Sequence, residues 1–568
     1  MRILLLLTLQ LLVIFLNDSL STAETQRSDT IVLQAMQEEL QRSWKNLRLD
    51  GYEIPYFISY QIKDNGFYNI KAKYGGIISS DNSRSRRLFV DVRVGDYEFD
   101  NSIVGKNGGM MPSFEATFVP LDNNVEAIRT ILWQITDAAY KNSLTQYFNK
   151  KATYVEELKN EEIPSFSKEE PQVYYGPEIQ FDFNPHEWED KLRIASAIFK
   201  NYEELIDANV TLTAQKETVY FVNTEGTRYI RDEILYSLDA DALARADDGK
   251  EIKNYRNLYF LSPSELPSVE EIKSILRGLI EETLDLKKSE ALSPLNVPAI
   301  LEQEASGIMF HEAVGHRLEG ERQIDDKEGQ TFKDRIGERI IPNFLTIIDD
   351  PSMKNFNGTH LLGFYPIDDE GVPGQRVTLV EDGILRNFLL SRTPIIGFNK
   401  SNGHGRSSYR LAPMARMSNT IIKSKKEHSR EELKRRLIEE VRRQKKPFGL
   451  IISKMTGGET NTSSYDFQAF SATPLVAYKV NPDTGKETLV RDIEIVGTPL
   501  VSINKIIATG DDYAVFNGFC GAESGYVPVS TVAPSILVTE IELQRQSSKK
   551  EKPPLLSPPF FDGKHEKR

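Results

Sequence analysis

The chain has 568 residues, of which 39% are hydrophobic, and its formal net charge at pH 7 is −13. A chain of this length buries a sizeable core, and we expect it to divide into two or three domains. The acidic balance argues against a nucleic-acid-binding surface, because neutralising phosphates requires clustered Lys and Arg.

Residues 1–23 have the parts of a secretory signal peptide. A positively charged amino terminus precedes a largely apolar run over residues 3–16. Ser21-Thr22-Ala23 then offers a small-x-small cleavage site. The run is shorter than the about 20 residues that cross a bilayer comfortably. We therefore expect export to the periplasm or the extracellular space, with no membrane span after cleavage. A retained membrane anchor is the alternative.

Residues 24–290 are expected to form an N-terminal α/β domain. The spacing of apolar residues predicts helices over 28–49, 125–148, 187–206 and 268–286. Runs of aromatic and β-branched residues predict strands over 56–62, 68–74, 88–94 and 210–222. The last helix opens on a capping box, in which Ser268 is followed three residues later by Glu271.

Residues 295–545 are expected to form a β-rich C-terminal domain, which makes the whole chain an α+β protein. One hairpin is predicted over 377–390, with Asp382-Gly383 as its turn, and another over 475–496. A capping box at Ser429 predicts an exposed helix through about residue 443. The remaining tail, 546–568, combines Lys, Pro and Ser with little apolar periodicity and is predicted to be disordered.

Residues 311–316 read His-Glu-Ala-Val-Gly-His, an HExxxH pattern, inside a small and apolar segment. Two histidines that hold a metal ion, with a carboxylate beside the first, are the minimal set for a zinc hydrolase. Common zincins place their histidines four residues apart, whereas here the spacing is five. On a regular α-helix that step would separate His311 and His316 by roughly 140°. We therefore predict a local π-type turn, with Gly315 supplying backbone freedom.

A third ligand is needed, and the residues alone leave it open. Cys520, the one cysteine of the chain, is a candidate, and so are His360, His404 and several carboxylates. A lone cysteine is also commonly just a buried small hydrophobe. Since the chain has a single cysteine, it forms no intrachain disulfide. The three other histidines lie in charged or tail contexts typical of the surface: His186, His428 and His565.

Six blocks of the C-terminal half resemble the TldD/PmbA metalloproteases, and specifically the TldD-like branch that carries HExxxH. In chain order these are GIMFHEAVGHRLEGE (307–321), IDDEGVPGQ (367–375), EDGIL (381–385), GRSSYR (405–410), PMARMSNT (413–420) and CGAESGYVPV (520–529). The resemblance covers about residues 295–545. The segment after Cys520 is less glycine-rich than the family pattern, and the tail has no counterpart.

The resemblance implies that His311, His316 and Cys520 bind zinc (Zn²⁺) and that Glu312 is the general base. It also implies a dimer, either of like subunits or with a metal-free paralogue, and a closed chamber that admits only unfolded peptides. We expect a loop over residues 509–526 to bring the cysteine back to the histidines. A His₂Cys set favours zinc over magnesium or calcium.

A thiolate ligand moderates the Lewis acidity of zinc, so a further group is expected to stabilise the oxyanion. Candidates are Arg406, Tyr409 and Arg410, although ordinary loop structure explains them equally well. Two other functions fit the chain as a whole. One is a non-catalytic peptide-binding or partner subunit of the same fold, and the other is an extracellular structural or adhesion protein that contains a histidine pair.

Overall fold

The structure is a computed structural model that mixes helices and strands, as the sequence predicted. The described residues are 30–102, 117–156, 163–325, 328–408, 411–460, 462–463, 470–545 and 558–561. The predicted signal peptide, residues 1–23, lies outside them. Every helix among the described residues is too short or too polar to cross a membrane.

The N-terminal part is one mostly antiparallel sheet with helices packed on it. Its helices are α1 (Thr30–Asn46), α2 (Val125–Glu156), α3 (Pro185–Ser196) and α4 (Val269–Lys288). Its strands are β1 (Pro55–Lys73), β2 (Gly76–Val94), β3 (Thr117–Phe118), β4 (Val173–Tyr175), β5 (Leu205–Asn223), β6 (Arg228–Arg245) and β7 (Glu251–Phe260). The strand order is β3-β2-β1-β5-β6-β4, and β7 pairs with another part of β6.

Strand β1 corrects the sequence prediction of two separate strands over 56–62 and 68–74. It is continuous across Asn65-Gly66, which reads as a turn signal in the sequence. The reason lies in its neighbours, because Gly66 pairs with β2 on one side and with β5 on the other. Pairing on both edges outweighs the local preference for a turn.

The predicted helix over 187–206 also differs from the structure. Helix α3 ends at Ser196 and continues as a 3₁₀ helix over Ala197–Asn201, after which β5 begins at Leu205. The other predicted helices are found, and α4 has the expected capping box, in which Ser268 and Glu271 bond each other's backbone. Helices α1 and α2 share one apolar cluster with the sheet, and α3 and α4 share a second.

The C-terminal part contains two larger sheets. Its helices are α5 (Gln303–Ala313), α6 (Arg430–Arg443) and α7 (Pro499–Asn504). Its strands are β8 (Glu290–Ala291), β9 (Val297–Leu301), β10 (Leu345–Asp349), β11 (Asn355–Phe356), β12 (Thr359–His360), β13 (Val377–Glu381), β14 (Ile384–Leu385), β15 (Gly405–Arg406), β16 (Met414–Ala415), β17 (Asn419–Ser424), β18 (Glu427–His428), β19 (Gly449–Thr460), β20 (Phe470–Val480), β21 (Glu487–Arg491), β22 (Ile493–Gly497), β23 (Ile506–Gly510), β24 (Ala514–Ala522), β25 (Gly525–Ala533), β26 (Ile536–Ile541) and β27 (Leu543–Arg545).

The order of the first sheet is β14-β13-β10-β17-β25-β24. The main path of the second is β18-β23-β26-β9-β19-β20-β21-β8, and β22 pairs with β20 and β27. Helix α5 contacts β19 of the second sheet and β24 and β25 of the first. Because both sides are covered, most of its residues are buried, from Ala305 to His311 in an unbroken run. The largest apolar cluster of the chain surrounds this helix.

The hairpin turn predicted at Asp382-Gly383 is confirmed. Both residues have positive φ angles, 50° and 80°, as a type I′ turn requires. In contrast, the loop predicted over 509–526 is wrong, since β24 and β25 form an antiparallel hairpin through this region. The tail is described only at residues 558–561, where Pro559–Phe561 forms a 3₁₀ turn and Phe561 is buried.

Candidate metal centre

The two histidines of HExxxH lie on two different helical segments. His311 is on the last turn of α5, which ends at Ala313, and His316 is on a separate 3₁₀ helix over Gly315–Leu318. Between them, Val314 leaves the helical region with φ −123° and ψ −46°. The predicted π-type turn is therefore wrong: a helix end, not a bulge, realigns the second ring. The two rings lie 5.0 Å apart between centroids and nearly perpendicular.

Gly315 has a role different from the predicted backbone freedom. It is absent from the glycines with positive φ among the described residues. Instead, a Cβ atom at this position would lie 2.1 Å from Sδ of Met417. Any side chain here would displace the methionine or the turn that carries His316. The glycine is thus required by close packing against Met417.

The hairpin of β24 and β25 brings Cys520 to the histidines. The cysteine pairs with Val527 across the hairpin, and its side chain is buried. Its Sγ lies 3.1 Å from Nε2 of His311 and 3.4 Å from Nε2 of His316. The three ligand atoms all lie within 4.8 Å of one another. The structure thus brings together the three residues that the resemblance selected.

This geometry fits a zinc ion. In a tetrahedral site with ordinary Zn–S and Zn–N bonds, a sulfur and a nitrogen ligand lie about 3.6 Å apart. The two S···N separations, 3.1 and 3.4 Å, are somewhat shorter than that value, so small side-chain movements would admit the ion. Two imidazoles and a thiol are also borderline-soft donors, which suit zinc better than magnesium or calcium. The residues present therefore fit the expected ion in both distance and chemistry.

The electrostatics of the three groups favour cation binding. Burial would raise the pKa of the Cys520 thiol, but His311 and His316 lower it well below its usual value. For His316, burial lowers the pKa, whereas Glu319 and Cys520 raise it to about 10. The cluster therefore favours a thiolate beside protonated imidazole. A divalent cation would displace these protons, because zinc binds thiolate and neutral imidazole.

Glu312 is the carboxylate nearest the histidines in sequence, and its Oε2 lies 4.0 Å from Nε2 of His316. Its side chain is 12% exposed, whereas both histidines are more deeply buried. Burial raises its pKa, and the two histidines oppose that shift. A partly exposed carboxylate with a raised pKa is suited to accept a proton near neutral pH.

Sequence reasoning missed a buried charged group behind His316. Glu319 accepts a hydrogen bond from Nδ1 of His316, at 3.2 Å, and another from Nε of Arg322, at 2.7 Å. Burial raises its pKa, but His316 and Arg322 outweigh this and lower the pKa to about 2. Arg416 lies on its other side and is also fully buried. A carboxylate three residues after a ligand histidine was the available sequence signal.

The other candidates from the sequence lie elsewhere. Arg406 donates to the backbone carbonyls of Met417 and Pro528, which favours the structural reading of this residue over an oxyanion role. Tyr409 and Arg410 lie outside the described residues. Neither alternative histidine joins the cluster: His404 bonds Asp349 and Asn402, and His360 bonds Glu265.

A His₂Cys cluster at the end of a helix held between two sheets, completed by a 3₁₀ turn and a strand and with a carboxylate beside it, defines a metallopeptidase-type centre. Residues 294–545 match the family model of the PmbA/TldA metallopeptidase C-terminal domain. The chain is 30% identical to a metalloprotease of Archaeoglobus fulgidus, over 60% of this chain and 75% of that one. It is 27% identical to a zinc metalloprotease TldD homologue of Saccharolobus solfataricus, over 62% and 79%. The chain belongs to the TldD/PmbA family and is a metallopeptidase.

The fold is also found in a solved structure. TldE from Thermococcus kodakarensis superposes with a TM-score of 0.59 at 14% sequence identity, covering 90% of this chain and 99% of that one. At this identity the likeness concerns the fold alone.

Proposed function

We propose that the chain is an exported zinc metallopeptidase of the HExxxH-containing branch, which hydrolyses peptide bonds in unfolded peptides. One observation carries the proposal. The side chains of His311, His316 and Cys520 converge within 4.8 Å, with the carboxylate of Glu312 beside them. Two of these residues are separated from the third by about two hundred positions, so their convergence is a property of the fold and not of a local motif.

A zinc ion held by these three ligands would polarise the scissile carbonyl and supply a nucleophile at neutral pH. Glu312 would accept the proton of the attacking water at its carboxylate and then return it to the leaving amine nitrogen. Its raised pKa supports both transfers. Its side chain is also slightly more exposed than the two histidines, which is consistent with a role beside bound substrate.

An extended peptide fits the site through backbone pairing. Strand β24, which carries Cys520, is the last strand of its sheet and pairs only with β25 among the described strands. A peptide added along its second edge would be held by main-chain hydrogen bonds, with little selection among side chains. That binding mode supports a preference for unfolded substrates.

Assembly and export complete the proposal. The chain would act as a homodimer or as a heterodimer with a metal-free paralogue, as the family resemblance implies. The signal-like residues 1–23 support export to the periplasm or the extracellular space. The rival function, a non-catalytic peptide-binding subunit, has no use for a general base at Glu312.

The test is the metal content of the purified protein together with its cleavage of a flexible peptide. Wild-type protein should contain about one zinc per chain, and Glu312→Gln should keep it while losing at least about 100-fold in cleavage rate. Glu304→Gln, on the same helix, should retain both. Cleavage by Glu312→Gln at the wild-type rate would show that the base is wrong, and zinc without cleavage in the wild type would favour the peptide-binding subunit.

A further inference from the structure

A pair of fully buried charges, Glu319 and Arg416, lies directly behind the metal centre. Both side chains are 0% exposed, and Nε of the arginine lies 3.5 Å from Oε1 of the glutamate. Burying two charges costs several kcal/mol per ion, and well-packed apolar side chains commonly stabilise a protein as well or better. Stability alone therefore does not account for this pair.

Glu319 controls the orientation of one metal ligand. Its Oε2 accepts from Nδ1 of His316, while Nε2 of the same ring faces Sγ of Cys520 at 3.4 Å. A carboxylate at Nδ1 keeps the proton on that nitrogen, so the lone pair of the neutral ring is on Nε2. Arg322, which donates to the same oxygen at 2.7 Å, holds the carboxylate itself in place.

Arg416 connects this carboxylate to the strand of the other ligand. Its Nη2 donates to the backbone carbonyl of Cys520 at 2.6 Å. Its Nη1 donates to Oγ of Ser524 at 2.8 Å and to the carbonyl of Gly525 at 2.9 Å, in the turn between β24 and β25. One guanidinium thus fixes both the cysteine and the turn that follows it.

We infer that Glu319 and Arg416 are positioning residues that hold His316 and Cys520 in their ligating geometry before zinc binds. The inference rests on the proposed function, since it assigns these two residues to the same metal site. His316 and Cys520 arrive from a 3₁₀ helix and from a distant hairpin. The buried pair connects these two segments together with Arg322, whose guanidinium binds both Glu319 and Glu523 in the turn of the hairpin, so loss of the pair weakens the constraint on both ligands.

Zinc affinity tests the inference directly. Glu319→Gln can keep its amide oxygen toward His316 and Arg322, but its NH₂ group then faces Nε of Arg416, which is itself a donor. We expect zinc affinity, measured by competition with a chromogenic chelator, to fall about 10- to 100-fold. The matched control is Glu321→Gln, since Glu321 is a buried carboxylate two residues away that accepts from Ser391 and the backbone of Ala415. This control should bind zinc as the wild type does.

A structural role would give a different result. If the pair only stabilised the fold, Glu319→Gln would lower the thermal midpoint of the metal-free protein. Added zinc would then raise the thermal midpoint of the variant by as much as it raises that of the wild type. If the pair positions the ligands, added zinc raises the thermal midpoint of the variant by less than that of the wild type. The absorption spectrum of the Co²⁺-substituted protein also changes, because the ligand geometry differs. Arg416→Lys, which retains the charge but has one donor nitrogen where arginine has three, should shift the Co²⁺ spectrum in the same way.

Three outcomes are distinguishable. Zinc affinity of Glu319→Gln within about threefold of the wild type would overturn the inference and leave the proposed function intact. A wild-type protein that binds no zinc would overturn the proposed function itself. If Glu319→Gln fails to fold, Glu319→Asp, which retains the charge on a shorter side chain, takes its place, and wild-type zinc affinity in that variant would count against the inference.

Discussion

The backbone of Gly458 in β19 passes against the side chain of Glu312. A Cβ atom at residue 458 would lie 2.5 Å from Cγ of Glu312 and 3.1 Å from Cγ2 of Ile308. Both contacts are on α5, on the face turned toward β19. The glycine therefore sets the distance between the strand and the proposed base.

Gly458→Ala should misplace Glu312 without removing it. We expect the rate of peptide cleavage at saturating substrate to fall on the order of 10- to 100-fold, because a displacement of about 1 Å at a reacting group has an effect of this size. Zinc content should remain that of the wild type, since the atoms nearest the added Cβ belong to Glu312 and Ile308 and not to a ligand. The measurement is kcat together with bound zinc.

The control for this variant is Gly307→Ala on the same helix. A Cβ atom there would make only ordinary contacts, the nearest at 3.5 Å from Thr531. It should leave kcat within about twofold, and it slightly favours the helix because alanine has the higher helix propensity. Equal loss of activity in both variants would argue against displacement of Glu312 as the cause.

Gly315→Ala should damage the metal centre through Met417. The new methyl group would overlap Sδ of Met417, and overpacking of this kind costs about 1 to 3 kcal/mol in the free energy of unfolding. Because the turn also carries His316, zinc affinity should fall together with the thermal midpoint. The double variant Gly315→Ala/Met417→Ala should recover zinc affinity relative to Gly315→Ala. If the double variant binds zinc no better, the overlap is not the cause.

Local signals in the sequence predicted the structure correctly where a helix cap or a tight turn determines it. The capping residues Ser268 and Ser429 open helices as expected, and Asp382-Gly383 forms the predicted turn. Each depends on hydrogen bonds or backbone angles within a few residues. Such features need no knowledge of distant partners.

Predictions that depend on distant partners were less successful. Asn65-Gly66 reads as a turn but lies in a strand paired on both edges. Cys520 was expected on a loop and lies in a strand, because its hairpin partner stabilises it. Glu319 was not singled out at all, since a charged residue is on average exposed and only the fold shows that it is buried against His316.

Cys520→Ser should remove most of the bound zinc. The hydroxyl is close in size to the thiol, so the fold should persist, but it stays protonated near neutral pH and is a poor zinc ligand. His404→Gln is the matched comparison, because His404 is a fully buried histidine outside the cluster. It should keep its zinc even if stability falls. Elemental analysis of both variants separates loss of a ligand from general damage to the fold.

Asp369 connects the N-terminal sheet to the C-terminal part and predicts a pH dependence of stability. Its Oδ1 lies 2.9 Å from Nη2 of Arg231 and 3.2 Å from Nζ of Lys63, while Ser407 donates to its Oδ2. Burial raises its pKa, but Lys63 and Arg231 outweigh this and lower the pKa to about 2. The ionised carboxylate is therefore the form that stabilises the folded chain.

The lowered pKa of Asp369 determines how stability changes with pH. A carboxyl whose pKa is lowered by folding contributes fully above its ordinary pKa, and the contribution is lost as the pH falls through about 2. The shift corresponds to about 2 kcal/mol at neutral pH. Asp369→Asn should cost about 3 kcal/mol or more there, because Arg231 and Lys63 remain buried with less compensation.

The measurement is the thermal midpoint of Asp369→Asn and of the wild type between about pH 5 and about pH 2, where the difference between the two should shrink as the wild-type carboxyl is protonated. Asp382→Asn is the control, since Asp382 pairs with Lys425 on the surface, where such pairs contribute about 1 kcal/mol or less. Its difference from the wild type should be small throughout. A deficit in Asp369→Asn that stays constant to the lowest pH would show that the ionised carboxylate does not stabilise the contact between the two parts of the chain.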